Sequence, residues 1–287
     1  MKKHWLLLIL IVAIFLLLCW SLWWSNYGLK TVRYTVGGMS LPEGFNGYHI
    51  VQLSDLHSVS FGEQNGRLLK AIRAEEPDII VMTGDMVSRY DEDFSVTLAL
   101  CSALAEEYPV YYIRGNHEEG LATADWESYR AALAASRVQV LDNETVQLTA
   151  ENGDRINLTG LWYKLDYYHK YASHYRPVTE ETMYTILGEA PEGYNILLAH
   201  NPNYFPVYAA WGADVTFCGH IHGGMIWLPL LGGILSPETI LFPEYDGGIY
   251  QIEDKTMILS RGLGRGRMGI RLFNPPELVC VTLTREE

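Results

Sequence analysis

His49-Ile50-Val51-Gln52-Leu53-Ser54-Asp55-Leu56-His57 reads as a buried strand that runs directly into an aspartate and a histidine. The same device repeats down the chain. Asp78-Ile79-Ile80-Val81-Met82-Thr83 ends on Gly84-Asp85, and Pro109-Val110-Tyr111-Tyr112-Ile113-Arg114 ends on Gly115-Asn116-His117-Glu118. Between these strands, Asn65 to Glu75 carries Leu68, Leu69 and Ile72 at helical spacing, and Ser95 to Glu106 predicts a second helix. In open α/β sheets, ligands bind beyond the carboxyl ends of the strands, where loops from neighbouring strands converge. The second half follows the same logic, with Tyr194 to Ala199 leading to His200-Asn201 and Ala213 to Cys218 leading to Gly219-His220-Ile221-His222-Gly223. Further β-rich stretches are Thr145 to Ala150, Arg155 to Leu161, Gly248 to Ile252, Thr256 to Ser260 and Leu278 to Thr284. Together they predict an α/β domain of two mixed sheets packed face to face with helices outside.

Trp5 to Trp24 is apolar except for Ser21. About 20 such residues make a helix long enough to cross a hydrocarbon core. Trp5 at one end and Trp20, Trp23, Trp24 and Tyr27 at the other suit the two interfaces. Leu22-Trp23-Trp24-Ser25 offers a signal peptidase no pair of small residues, and bulky Leu18 precedes Cys19 where lipoprotein processing needs a small one, so an uncleaved anchor is expected. The predicted organisation is a transmembrane anchor over 1–25, a polar connector over 26–44 with one strand-like patch (Thr31 to Val36), and a catalytic domain over 45–287. Lys2, Lys3 and the α-amine on one side face Lys30 and Arg33 on the other, a slight bias towards a single-pass protein with its domain outside the cytoplasm. Cys101, Cys218 and Cys280 show no CxxC pairing and read as small buried apolar residues. With 34 acidic and 21 basic residues, the net charge of -13 removes the usual electrostatic argument for a nucleic-acid partner.

Each polar cluster alone is a weak signal. Asp-x-His is commonly a strand-end turn, Gly-Asp a turn or cap, and a lone histidine after an apolar strand a hydrogen-bonded core residue. Asp55 and His57 alternate along what reads as extended chain, so both can face one cation. His220 and His222 alternate likewise, with Gly219, Gly223 and Gly224 permitting close backbone approach. Taken together, four histidines, two aspartates and one asparagine suit two divalent cations sharing a bridging carboxylate, the arrangement that clamps a phosphoryl group.

In this order (D-x-H, G-D, G-N-H-[DE], H, G-H-x-H) the chain resembles the calcineurin-like metallophosphoesterases from about Tyr48 to the C-terminus. Arg261-Gly262-Leu263-Gly264, Arg271-Leu272-Phe273-Asn274-Pro275-Pro276-Glu277 and the early apolar segment make it similar to the membrane-anchored bacterial branch of YkuE-like and YaeI-like proteins. Met225 stands where that branch commonly has glutamine. The resemblance implies a four-layer αββα sandwich behind one transmembrane helix. It further implies that Asp55, His57 and His222 bind a first metal, that Asn116, His200 and His220 bind a second, and that Asp85 bridges both. On the same resemblance, the metal pair would supply a hydroxide to attack phosphorus in line, and His117 would be the catalytic acid. Two divalent ions, Mn²⁺ with Fe or Zn²⁺ as alternatives, suit the mixed donor set.

Arg261 and Arg265, with Arg267, lie in a glycine-rich loop that reads equally as a substrate-phosphate contact or a solvated basic turn. The segment from Trp162 to Pro177 is rich in Tyr and His and reads as a substrate-facing lid, as packing, or as a lipid contact. The expected function is a membrane-anchored phosphodiesterase or pyrophosphatase acting on a lipid-linked or cell-envelope substrate, with hydrolysis of the UDP-2,3-diacylglucosamine type in view. The alternatives are a catalytically silent membrane-tethered module that binds metal or a partner, and a phosphomonoesterase or phosphoprotein phosphatase.

Overall fold

A computed structural model describes residues 2–168, 175–228, 230–266, 269 and 271–285. In chain order, α1 (Lys2–Tyr27) is followed by β1 (Lys30–Gly37), β2 (His49–Leu53), α2 (Gly66–Arg73), β3 (Ile79–Met82), α3 (Ser95–Ala105) and β4 (Val110–Tyr112). Next come α4 (Asn116–Glu119), α5 (Thr123–Ala135), β5 (Gln139–Val140), β6 (Thr145–Thr149), β7 (Arg155–Leu161), α6 (Glu180–Leu187) and β8 (Asn195–Ala199). The last are α7 (Phe205–Trp211), β9 (Val215–Cys218), the short hairpin β10 (Trp227–Leu228) and β11 (Gly232–Gly233), then β12 (Gly248–Ile252), β13 (Lys255–Leu259) and β14 (Glu277–Thr284).

Two six-stranded mixed sheets result, ordered β1-β14-β2-β3-β4-β5 and β12-β13-β9-β8-β7-β6. Strands β2, β3 and β4 run parallel, as do β7, β8, β9 and β13, so the polar clusters that follow them emerge at common sheet ends. The central strands read as continuous apolar runs because both of their faces are covered. Alternate residues serve different layers. Ile50, Ile79, Val81, Ile196, Leu198 and Phe217 meet between the sheets, whereas Val51, Leu53, Ile80 and Met82 pack outward under α2, α3 and α5. On the other side Leu197, Ala199 and Cys218 pack beneath Phe205, Tyr208 and Trp211 of α7. The layers therefore run helix, sheet, sheet, helix, as expected.

The strand-like patch from Thr31 to Val36 is a strand, β1. Residues 26–44 are more than a polar connector, because β1 pairs in parallel with β14 from Lys30↔Glu277 to Gly37↔Thr284. An edge strand exposed on one face needs few apolar residues, so its period was faint in the sequence. Among the described residues, one helix is long and apolar enough to cross a membrane: Lys3–Tyr27, mean hydropathy 2.9, with nearly all of its large side chains exposed.

Candidate metal centre

Asp55 and His57 reach the same place, but not along extended chain. Both have left-handed backbones (φ 51° and 47°), because the strand stops at Leu53 and the chain turns across the end of β3. There the Asp55 N–H donates to Gly84 O at 3.0 Å and the His57 N–H to Asp85 O at 3.1 Å. His220 and His222 are also left-handed (φ 77° and 54°), and their rings serve different clusters rather than one. Such φ values are unfavourable for non-glycine residues and persist only where the surroundings fix them.

The side chains gather into two adjoining sets, overlapped by a third made of His57, Asp85 and His117. Ligand atoms of Asp55, His57 and His222 lie within 4.8 Å of one another, as do those of Asp85, His200 and His220. His57 Nε2 stands 3.1 Å from His222 Nε2, and His222 Nε2 is 3.4 Å from Asp55 Oδ1. Asp85 Oδ2 is 3.3 Å from His200 Nε2 and 4.0 Å from both His57 Nε2 and His117 Nε2, which places it between the sets. Asn116 Oδ1 and His200 Nε2 are buried without a hydrogen-bond partner. Stranding such lone pairs in an interior is costly, and a divalent cation satisfies them, so this donor set fits two metal ions. His200 Nδ1 lies 2.7 Å from the Thr83 carbonyl and donates to it, which makes Nε2 the nitrogen that faces the carboxylates and would meet a cation.

The electrostatics point the same way. Burial keeps the His57 ring neutral, pushing its pKa down to about 3, and burial together with His57 and Arg271 holds His222 well below the ordinary histidine range. Around His200 burial again opposes charge, but Asp85 and Asp55 outweigh it and raise the ring to about 9. The two buried carboxylates thus call for positive charge at this spot, which divalent cations supply.

Several supports lay outside the sequence expectations. The wholly buried Glu118 carboxylate accepts from the N–H groups of Asp85 (2.8 Å), Met86 (2.7 Å) and Gly115 (2.8 Å) and from Tyr112 OH (2.7 Å), tying the Gly-Asp turn to the Gly-Asn-His turn. Its one sequence signal was its place in the motif, three residues into a helix, where a glutamate reaches back to the capping N–H. Ser54 Oγ donates to Asp55 Oδ2 at 2.6 Å, and the His117 N–H donates to Asp85 Oδ1 at 2.7 Å. Glu238 Oε1 lies 2.9 Å from His220 Nε2, and nothing in its irregular surroundings marked it in the sequence.

These groups open into a cavity of about 630 Å³ lined by His57, Asp85, Asn116, His117, His220 and His222 together with Arg89, Glu238 and Arg265. A larger surface cavity of about 890 Å³ beside α5, lined by Arg114, Trp126 and Asp142, includes none of these aspartates and histidines. Arg265 faces the cavity and stacks 5.1 Å over Tyr27, whereas Arg261 is turned aside, 4.7 Å over Trp227. Arg267 lies outside the described residues, as do His169, Tyr171 and His174 of the aromatic segment. Of that segment's described residues, Tyr163 is buried against Tyr208 (3.0 Å between hydroxyls), and Tyr168 is buried with its ring 5.4 Å from that of His220. Those two pack against the site wall instead of forming an open flap.

The calcineurin-like phosphoesterase family model matches residues 48–224, more than half of the chain. The chain belongs to the calcineurin-like phosphoesterases. As such it is a metal-dependent hydrolase of phosphoric esters, of a family that works with two divalent cations. This phosphoesterase is 28% identical over 260 residues to the uncharacterized metallophosphoesterase YkuE of Bacillus subtilis, covering 89% of this chain and 85% of that one. It is 29% identical over 318 residues to the UDP-2,3-diacylglucosamine pyrophosphatase LpxG of Chlamydia trachomatis, covering 89% and 90%. It is 26% identical over 213 residues to the phosphodiesterase YaeI of Escherichia coli, covering 73% and 71%.

Proposed function

We propose that this phosphoesterase is held to a membrane by α1 and cleaves phosphodiester or pyrophosphate bonds of an amphiphilic substrate, a lipid-linked nucleotide or cell-envelope phosphate. The observation that carries the reading is Asp85, whose Oδ2 lies 3.3 to 4.0 Å from His200, His57 and His117 and so belongs to both ligand sets. Asp55, His57 and His222 would hold one cation, Asn116, His200 and His220 the other, and Asp85 both. The bound pair supplies the Lewis acidity that lowers the pKa of water and offsets the charge of the reacting phosphoryl group.

The protein's own groups do the rest. His117 Nδ1 accepts from the Arg89 N–H at 3.2 Å, which turns Nε2 towards the cavity. Burial lowers the His117 pKa, against the opposing pull of Asp85. An anionic phosphate beside the ring acts in the same sense as Asp85, favouring the imidazolium; protonated Nδ1 then gives up the Arg89 N–H, and Nε2 passes its proton to the leaving alkoxide, leaving the neutral ring. Arg265 lines the same cavity and offers a fork to a phosphate oxygen.

The likeness to LpxG supports a pyrophosphate among the substrates to be tried, and the exposed apolar surface of α1 supports a lipid one. Lys2, Lys3 and the α-amine at the start of α1, against Lys30 and Arg33 after it, support a domain on the outer face of the membrane, which a topology reporter fused at each terminus tests. The decisive assay is hydrolysis of bis(p-nitrophenyl) phosphate against p-nitrophenyl phosphate by the full chain in detergent with Mn²⁺. Preference for the diester is expected, and Asp85→Ala or Asn116→Ala abolishes it with unchanged circular dichroism. Faster turnover of the monoester points to a phosphatase instead, and no turnover with two ions bound points to a silent binding module.

A further inference from the structure

Most large side chains of α1 are exposed, Trp23 to 58% for example, yet Ser21 and Ser25 are 1% and 0% exposed. They stand four residues apart, hence on one helix face. Each hydroxyl accepts a backbone N–H from the far end of the chain: Ser21 Oγ from Phe273 at 2.9 Å and Ser25 Oγ from Asn274 at 3.0 Å. Asn26 completes the seam by bonding both main-chain groups of Arg271, accepting from its N–H at 3.2 Å and donating to its carbonyl at 3.0 Å.

The opposite side of this 271–274 loop grips a metal ligand. Asn274 Nδ2 donates to the His222 carbonyl at 2.6 Å, and the wholly buried Arg271 guanidinium lies 3.2 Å from His222 Nδ1. That guanidinium is itself fixed by the carbonyls of Gly264 and Arg261, both at 2.6 Å. His222 has an unfavourable left-handed backbone and needs such external support to keep Nε2 beside Asp55 and His57. A continuous set of hydrogen bonds therefore runs from the apolar helix, through the loop, to the ring and main chain of one ligand.

We infer that the last turns of α1 are a working part of the active site, with Ser21, Ser25 and Asn26 acting as positioning residues that hold the 271–274 loop and, through it, His222. The inference rests on the reading of Asp55, His57 and His222 as the first cation's ligands. An anchor serving only as a tether has no use for two buried hydroxyls bonded to this loop. Loss of the seam releases the loop, and His222 no longer stays in register with its two partners. Groups that orient metal ligands typically contribute about 10- to 100-fold in metal affinity.

The test is a Mn²⁺ titration, by calorimetry and by bound-metal analysis, of the full chain in lipid nanodiscs. Wild type is compared with Ser21→Ala/Ser25→Ala/Asn26→Ala, with the hydroxyl-retaining Ser21→Thr/Ser25→Thr, and with His222→Ala. The expected result is that the triple variant binds one of its two ions at least tenfold more weakly and the other normally. The threonine pair should retain affinity, and saturating Mn²⁺ should restore kcat to the triple variant. If His222→Ala loses one ion while the triple variant keeps both at wild-type affinity, the seam is only a tether and the inference fails. If His222→Ala itself keeps both ions, the ligand assignment beneath the inference fails instead.

Discussion

Glu118 shows how much a single side chain outside the ligand set carries. Its carboxylate gathers four backbone N–H groups, those of Asp85, Met86, Val87 and Gly115, and the Tyr112 hydroxyl, all in the protein interior. A hydrogen bond to a charged group contributes about 1.5 to 3 kcal/mol, and glutamine would turn an amide NH₂ against donors that need an acceptor. Glu118→Gln should therefore lower unfolding stability by at least ~3 kcal/mol, measured by urea denaturation, and slow turnover by misplacing Asp85. His117 makes a different prediction. If it protonates the leaving group, His117→Ala should lower kcat by roughly 10² to 10⁴-fold on an alkyl phosphodiester, and much less on bis(p-nitrophenyl) phosphate, whose leaving group needs no proton. Equal losses on both substrates would remove its role as an acid.

Among the elements, the turn after β3 leaves no room for a side chain. Gly84 has φ +89°, and a Cβ there would sit 2.5 Å from the Gly115 nitrogen. Gly84→Ala must push the two ligand-bearing turns apart, and a displacement of about 1 Å at such a site typically costs about 10²-fold in rate. A variant with normal kcat/KM would show that the turns adapt. This close approach explains a limit of sequence reading. The strands β2, β3, β4, β8 and β9 were legible because both faces are covered and the apolar runs end on polar clusters. The left-handed turns at Asp55, His57, His220 and His222 were not, because they are imposed by bonds to neighbouring strands and not by local propensity. Strand β1 was half hidden for a related reason: its partner β14 lies at the other end of the chain.

For the whole molecule, the metal centre joins parts far apart in sequence, from Asp55 to His222, so bound cations should stabilise the entire domain. A ligand present at 100 times its Kd contributes about 2.7 kcal/mol, which in a domain of this size raises Tm by several degrees. Chelation with EDTA should lower Tm by that amount, and added Mn²⁺ should restore it. No shift in calorimetry would mean that the ligand sets do not bind metal in the folded state. The sequence was enough to establish the α/β pattern, the apolar N-terminal helix and the residues able to bind metal, because each is written in local runs: strand, polar cluster, spacing. Only the folded chain decided that Glu118 ties the turns together, that Arg261 turns away while Arg265 faces the cavity, and that Ser21 and Ser25 meet the 271–274 loop. These outcomes depend on which distant backbone segments lie side by side, and no local periodicity encodes a hydrogen bond between residues about 250 positions apart.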